Sequence, residues 1–312
     1  MTIKAKNSLS SLNVDFDTDA ECRQALEELR WPDGVACLRC ESKSISRLTT
    51  RKQYDCNKCR YRFSVTTGTI FNDSHLALPK WFLAVFLMVE SKKGISSNQL
   101  MRTLGVAKKT AWYLNHRIRK AMSEVGASQL TGTVEVDETY IGSRRRTHGI
   151  GTGNWRPFKQ IILGAVERGG RLRMQAGIDN KRVHLHGFVR EQIADDCANI
   201  YTDDLHAYKG IGDENTRHET VNHGKGEYAR GEVHTNTIEG AFGLFKRGLV
   251  GSFHQISRKH LDRYLDEFEF RYNNRRNPYL FRDTLTRLIK ADAMPYQALI
   301  STSEAAPIQQ LN

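Results

Sequence analysis

No run of eighteen apolar residues occurs in this 312-residue chain, and its most apolar stretch, Trp81 to Val89, is far too short to cross a bilayer. Nothing at the N-terminus reads as a secretory leader, so the expected compartment is the cytoplasm, where disulfides are disfavoured. Internal repeats and low-complexity tracts are absent too, which argues against solenoid or fibrous architectures. Acid is scarce relative to base. The chain carries 35 Asp plus Glu against 47 Lys plus Arg, a net charge of +12. With a pI near 9.5 and a mean hydropathy of −0.55, that excess points to a polyanionic partner, most simply nucleic acid. The length allows two or three domains, one of them with a substantial core.

Six cysteines are present, and two of them, Cys22 and Cys197, have no partner at metal spacing. The other four form Cys37-x2-Cys40 and Cys56-x2-Cys59, separated by fifteen residues. Each pair places two sulfurs on one tight turn, and two such turns can close a tetrahedral S₄ cage around structural Zn²⁺. Such a ribbon has too little apolar surface to fold alone, so metal binding supplies much of its folding free energy. Ser44–Leu48, Gln53–Asp55 and Tyr61–Val65 read as its short strands, after a helical pattern from Ala20 to Leu29 that Pro32-Asp33-Gly34 stops.

From Leu78 the apolar period becomes helical. Trp81, Phe82, Val85, Phe86 and Val89 recur on one stripe after Pro79, which suits a first helical position. A short helix capped by Ser96 to Gln99 then ends at Gly105, and a longer one runs from about Ala107 to Met122. The longer helix carries Lys108, Lys109, His116, Arg117, Arg119 and Lys120, which completes the outline of a helix-turn-helix; Lys108, Lys109 and Arg117 are its candidate DNA contacts. Trp112 reads as core.

Strands dominate from residue 131. Thr133–Ile141 alternates, Ile161–Val166 and Leu172–Ile178 flank a hairpin turn, and Val183–Ile193 is helical. Asn199–Thr202 and Glu219–Asn222 are further strands, and a helix opens near Thr237. This is the element order of a ribonuclease-H-like domain. A final helix, Ser257–Asn273, has Leu261, Tyr264, Leu265 and Phe268 on one stripe, and residues 301–312 read as a loose tail.

Three acids occupy distinctive places on that frame. Asp137 is mid-strand, opposite in facing to Val134 and Val136; Asp203 ends a later strand; Glu239 opens a helix. The first and fourth strands of such a sheet are neighbours, which brings Asp137 and Asp203 together. Crowded carboxylates raise one another's pKa, and two Mg²⁺ or Mn²⁺ ions would relieve the repulsion and equip the site for in-line displacement at phosphorus. Glu239 also fits the third helical position of a capping box with Asn236 as N-cap. Lys246 follows Glu239 by two helical turns, on the face that also holds Asn236, where its ammonium can reach a phosphate. His218, His223 and His234 gather near the last strand, and Arg144, Arg145 and Arg146 lie in a Gly/Arg-rich stretch suited to phosphate contact.

Val136-Asp137-Glu138-Thr139-Tyr140-Ile141-Gly142, Thr202-Asp203-x4-Tyr208 and His234-Thr235-Asn236-Thr237-Ile238-Glu239-Gly240-x5-Lys246-Arg247-Gly248 together resemble the signatures of ISXO-like DDE transposases of bacterial insertion sequences. The cysteine pairs, Phe63-x2-Thr66-x-Gly68-Thr69 and Tyr272-Asn273-x-Arg275 are similar as well, so the resemblance spans roughly residues 20–290. It implies a multidomain α+β chain: a zinc ribbon over 20–70, a helix-turn-helix over 76–125, a ribonuclease-H-like catalytic domain over 130–290 and a tail over 291–312. It further implies that Asp137 and Asp203 are the catalytic, metal-binding aspartates, with Glu239 or Asn236 completing the set, and that Lys246 and Arg247 contact DNA. The family usually has Gly-Trp after the second aspartate, where this chain has Asp204-Leu205; Asp203 keeps the spacing to Tyr208. The implied partners are the element's inverted repeats, target DNA and at least one further copy of the chain, acting at the nucleoid.

Overall fold

The computed structural model describes residues 12, 15–124, 126–142 and 159–301. They fall into two compact units, one drawn from residues up to 91, 95–122 and 276 onward, the other from 92–94 and 123–275.

The first unit opens with α1 (Asp19–Arg30), whose N-terminus is closed by a capping box. The Thr18 hydroxyl accepts from the Glu21 amide at 3.2 Å, and the Glu21 carboxylate accepts from the Thr18 amide at 2.9 Å. Strands β1 (Ile45–Leu48), β2 (Gln53–Cys56) and β3 (Arg62–Phe63) follow as an antiparallel sheet in that order. Their buried side is small: Tyr54 and Phe63 with two of the cysteines, closed by the edge of Trp31. Helices α2 (Leu78–Glu90), α3 (Ser97–Leu104) and α4 (Lys108–Met122) come next. Ser96 caps α3 by accepting from the Gln99 amide at 3.1 Å, and Gly105 ends it at φ +59°, a left-handed conformation that glycine adopts without steric cost.

Two expectations for the C-terminal region change. Helix α8 (Leu280–Lys290), within the span expected to be catalytic, packs on α1, α2 and α4 of the first unit. Its Phe281 ring meets Phe16, Phe82 and Phe86, so the apolar stripe of α8 belongs to that core. Nor do the described residues from 291 onward stand apart as a tail. Met294 is buried, the Tyr113 hydroxyl donates to its carbonyl, and α9 (Tyr296–Ile300) buries Leu299 and sets Tyr296 against Trp112 and Tyr113. Residues 302–312 lie outside the described residues.

The second unit is a five-stranded sheet of β4 (Thr133–Ile141), β5 (Gln160–Glu167), β6 (Leu172–Ala176), β7 (Asn199–Asp203) and β8 (Arg217–Val221). The order is β6-β5-β4-β7-β8, with β4–β5 and β5–β6 antiparallel and β4–β7 and β7–β8 parallel. Three meandering strands flanked by two parallel ones make a ribonuclease-H-like sheet. Val134, Val136, Leu163 and Ile200 face α5 (Arg182–Gln192), while Ile162, Val166 and Leu172 face α6 (Asn236–Gly248) and α7 (Leu261–Asn273). Helix α6 approaches the sheet closely at Gly164, the β5 residue paired with Asp137; a Cβ there would lie 2.6 Å from the Phe242 ring.

Candidate zinc cage and carboxylate cluster

The two cysteine turns are built alike. Each ends in a left-handed residue, Glu41 at φ 59° and Arg60 at φ 58°, whose amide bonds back to the carbonyl of the first cysteine of its turn. The Arg39 amide points at Cys37 Sγ (3.4 Å) and the Cys59 amide at Cys56 Sγ (3.5 Å). Cys37 and Cys59 sulfurs are 3.6 Å apart, as are those of Cys40 and Cys56, and the four sulfurs lie within 4.8 Å of one another. A tetrahedron with Zn–S bonds of about 2.3 Å has edges near 3.8 Å, so the donor set fits Zn²⁺. The Cys59 amide, first among several causes, pushes the Cys56 thiol down to about 6, whereas Cys40, against a hydrogen bond from the Ser42 amide, is pushed up to about 12 by burial and its sulfur neighbours; the fit to Zn²⁺ therefore rests on the cage geometry. Cys22 is also pushed up to about 12, chiefly by burial, and is inert.

In the second unit, β4 and β7 run side by side and bring Asp137 and Asp203 to the same end of the sheet. Burial, and then the charges of Glu138, Asp203 and Glu239, lift the Asp137 carboxyl to about 8 against one hydrogen bond from the Glu138 amide at 2.8 Å. Asp203 is raised as well, chiefly by burial. That Asp137 feels both Asp203 and Glu239 marks the three as one electrostatic cluster, although among the described residues only the cysteines bring three donors within 4.8 Å. Glu239 sits on the first turn of α6 with its side chain 45% exposed, accepting from the Thr235 hydroxyl at 3.0 Å and facing His223 Nε2 at 3.3 Å. Asp204, the alternative to Asp203, accepts from the Asn222 amide group at 2.7 Å. Glu138 takes the Tyr208 hydroxyl at 2.7 Å.

The capping box expected at α6 does not form. Its N-cap is Thr235, and the helix has no side-chain cap of its own, because the Thr235 hydroxyl donates to Glu239 instead. The amides of that turn go to Glu135, which no sequence motif marks. Fully buried, Glu135 accepts from the Thr237 amide (2.7 Å), the Ile238 amide (3.1 Å), the Thr237 hydroxyl (2.8 Å) and Arg168 Nε (2.8 Å). The one available signal was its place in β4, on the face shared with Asp137. The histidines serve the same region: His234 Nδ1 is 3.2 Å from Glu135, His223 faces Glu239, and His218 pairs with Thr202. Asn236 is exposed at the start of α6, and Lys246 and Arg247 are exposed on its last turn.

On α4, Lys108 and Lys109 are exposed, with the Lys109 ammonium 4.3 Å from the centre of the Tyr296 ring. Arg117 is not the exposed phosphate contact the sequence suggests. It is buried, donates to the carbonyls of Ile70 and Asn72, and lies over the Trp81 and Tyr113 rings. His116 and Arg119 are buried too, since other helices cover α4 on more than one side. Arg144, Arg145 and Arg146 lie outside the described residues. Among the described residues no helix is long and apolar enough to cross a membrane.

Comparison with known proteins bears on the family of the chain. The family model described as the ISXO2-like transposase domain matches residues 129–273, and that of the transposase zinc-ribbon domain matches residues 17–62. An uncharacterized protein in transposable element ISH50 of Halobacterium salinarum is 31% identical over 283 residues, covering 84% of this chain and 94% of its own length. Among solved structures, the Mos1 strand transfer complex is similar at a TM-score of 0.29 and 12% identity, covering 67% of this chain and 75% of that one. The Mos1 mariner paired end complex with Mn is similar at a TM-score of 0.28 and the same identity and coverage. At those scores the fold assignment rests on the strand order and register.

Proposed function

Because the chain belongs to the ISXO2-like transposase family, we propose that it binds the inverted repeats of its own insertion sequence, cuts there and joins the freed end to target DNA. The observation that carries the chemical part is the placing of Asp137 and Asp203 on the parallel neighbours β4 and β7, with Glu239 on the first turn of the helix packed against β4 and β5. Asp137 and Asp203 are the metal-binding aspartates in this reading, and Glu239 is the third acid rather than Asn236, whose side chain is a neutral amide. Divalent ions held by these carboxylates supply activation of an attacking oxygen and neutralisation of a leaving one.

In the first step a water oxygen attacks phosphorus at the element end, the P–O3′ bond breaks, and a free 3′-OH results. In the second, that 3′-OH attacks a target phosphodiester and displaces the target's own 3′-oxygen, so bond count is conserved. Both are in-line displacements that one site can perform. Lys246, about 10 Å along α6 from Glu239, meets the phosphate backbone near the cleaved end, with Arg247 beside it and Asn236 at the opposite end of the same helix. Arg144, Arg145 and Arg146 are further phosphate contacts in this reading. The zinc ribbon, with α3, Gly105 and α4 as a helix-turn-helix, recognises the repeats, with Lys108 and Lys109 on phosphates. Two ends cut in concert require at least a dimer on DNA, and the work takes place at the nucleoid in the cytoplasm.

The test is a Mg²⁺- or Mn²⁺-dependent cleavage and joining assay on labelled DNA bearing the element's own flanking repeats. Joined product that disappears in Asp137→Ala, while repeat binding persists, is the expected result. Tight binding without cutting under either ion would instead leave a non-catalytic DNA-binding protein.

A further inference from the structure

We infer that Glu135 is a positioning residue for the carboxylate cluster, fixing the first turn of α6, and with it Glu239, in register with Asp137. The inference rests on the reading of that cluster as the metal site.

The case starts from burial. An ionised carboxylate taken out of water is tolerated only where donors replace its hydration, and Glu135 is fully buried. Its donors are specific in kind. Two are backbone amides of the first turn of α6, one is the hydroxyl of that turn's Thr237, and Arg168 supplies the balancing charge. His234 Nδ1 stands 3.2 Å away and Arg168 also donates to the His234 carbonyl, so the segment leading into the helix is held as well.

A helix start leaves its first amides without partners, and a side chain just before the helix usually accepts from them. Here the acceptor lies 102 residues away, on β4. A local serine or asparagine would satisfy the same amides but would leave the helix end free to shift against the sheet. Glu135 lies two residues before Asp137 on one strand face, about 7 Å away. Thr237 and Ile238 immediately precede Glu239. The path from Asp137 to Glu239 therefore runs along two residues of strand, one set of short hydrogen bonds and less than one turn of helix. The close approach of Phe242 to Gly164, the strand partner of Asp137, holds the same helix one turn further on.

The experiment is Mn²⁺ titration of the zinc-loaded full chain, followed by the spectrum of free Mn²⁺ and by thermal unfolding. Glu135→Gln is expected to weaken Mn²⁺ binding about tenfold, the lower end for residues that orient metal ligands. Thr237→Val removes only the hydroxyl donor, should fold as wild type, and should weaken binding by a smaller factor. In a Glu239→Gln background, Thr237→Val should change the affinity no further, because both act through one side chain. Unchanged affinity in Thr237→Val, or losses that multiply with Glu239→Gln, would overturn the positioning role while leaving the cluster intact. If Asp137→Ala binds Mn²⁺ as well as wild type, the metal-site reading fails and the inference with it.

Discussion

Asn222 donates its side-chain amide to Asp204 at 2.7 Å, so the second of two consecutive aspartates is already engaged. Asp203, the first, receives the Leu205 backbone amide at 3.2 Å and, beneath a rise due chiefly to burial, feels the charges of His223, Asp204 and Glu239. Asp203→Asn should therefore abolish metal-dependent cleavage, whereas Asp204→Asn should retain most of it. A cleavage assay on both variants settles the assignment, and the reverse outcome would move the metal ligand one residue along the chain.

The zinc cage carries a second expectation. Structural Zn²⁺ contributes on the order of 10 kcal/mol in small domains of this type, more than the few buried aromatics of the ribbon can replace. Chelation, or Cys56→Ser, should release about one zinc per chain and abolish repeat binding. Trp31 packs edge-on to Tyr54 and Phe63, so its fluorescence should report the loss. A ribbon that keeps its fluorescence and its DNA after zinc removal would show that the metal is dispensable.

The basic residues of α4 should separate by burial. Arg117→Met leaves the Ile70 and Asn72 carbonyls without their charged donor and should cost about 2–3 kcal/mol of stability, read by urea unfolding. Replacing exposed Lys108 and Lys109 with Ala should leave stability near wild type and flatten the salt dependence of DNA binding by roughly two phosphate contacts. An unchanged salt slope would remove α4 from the DNA interface.

Asp266 on α7 gives a pH test away from the cluster. Burial, then the charges of Glu269 and Asp262, lifts its carboxyl to about 7. The folded state thus holds a proton that the unfolded chain releases near pH 4. The stability tied to this proton is complete below about pH 4 and is lost as pH rises through about 7. Asp266→Asn should remove that loss, so its stability relative to wild type should grow from pH 5 to pH 8. A pH-independent difference between the two would contradict the shift.

Some of this was legible in the chain and some was not, for physical reasons. Cys-x2-Cys pairs announce a tetrahedral cage because the tight turn and the ligand chemistry are both local. Asp137 and Asp203 could be paired because strand order follows from element order and the parallel neighbours are set by topology. Glu135 was hidden, since an acid in an alternating strand looks like any solvent-facing residue until the helix that covers it is in place. Arg117 misled for the opposite reason: helical periodicity assigns one buried face, and α4 is covered on more than one. The capping box at Asn236 matched the local pattern, but a distant carboxylate took the amides that the pattern would have used.

The first unit is assembled from both ends of the chain, with Phe281 of α8 closing a core begun by Phe16 and Phe82. During synthesis that core stays open until α8 leaves the ribosome, by which time β4–β8 have already been made. A message cut short before Leu280 would thus encode all of β4–β8 and a first unit whose core lacks Phe281. The order of the elements along the chain thus sets the order in which the two cores can close.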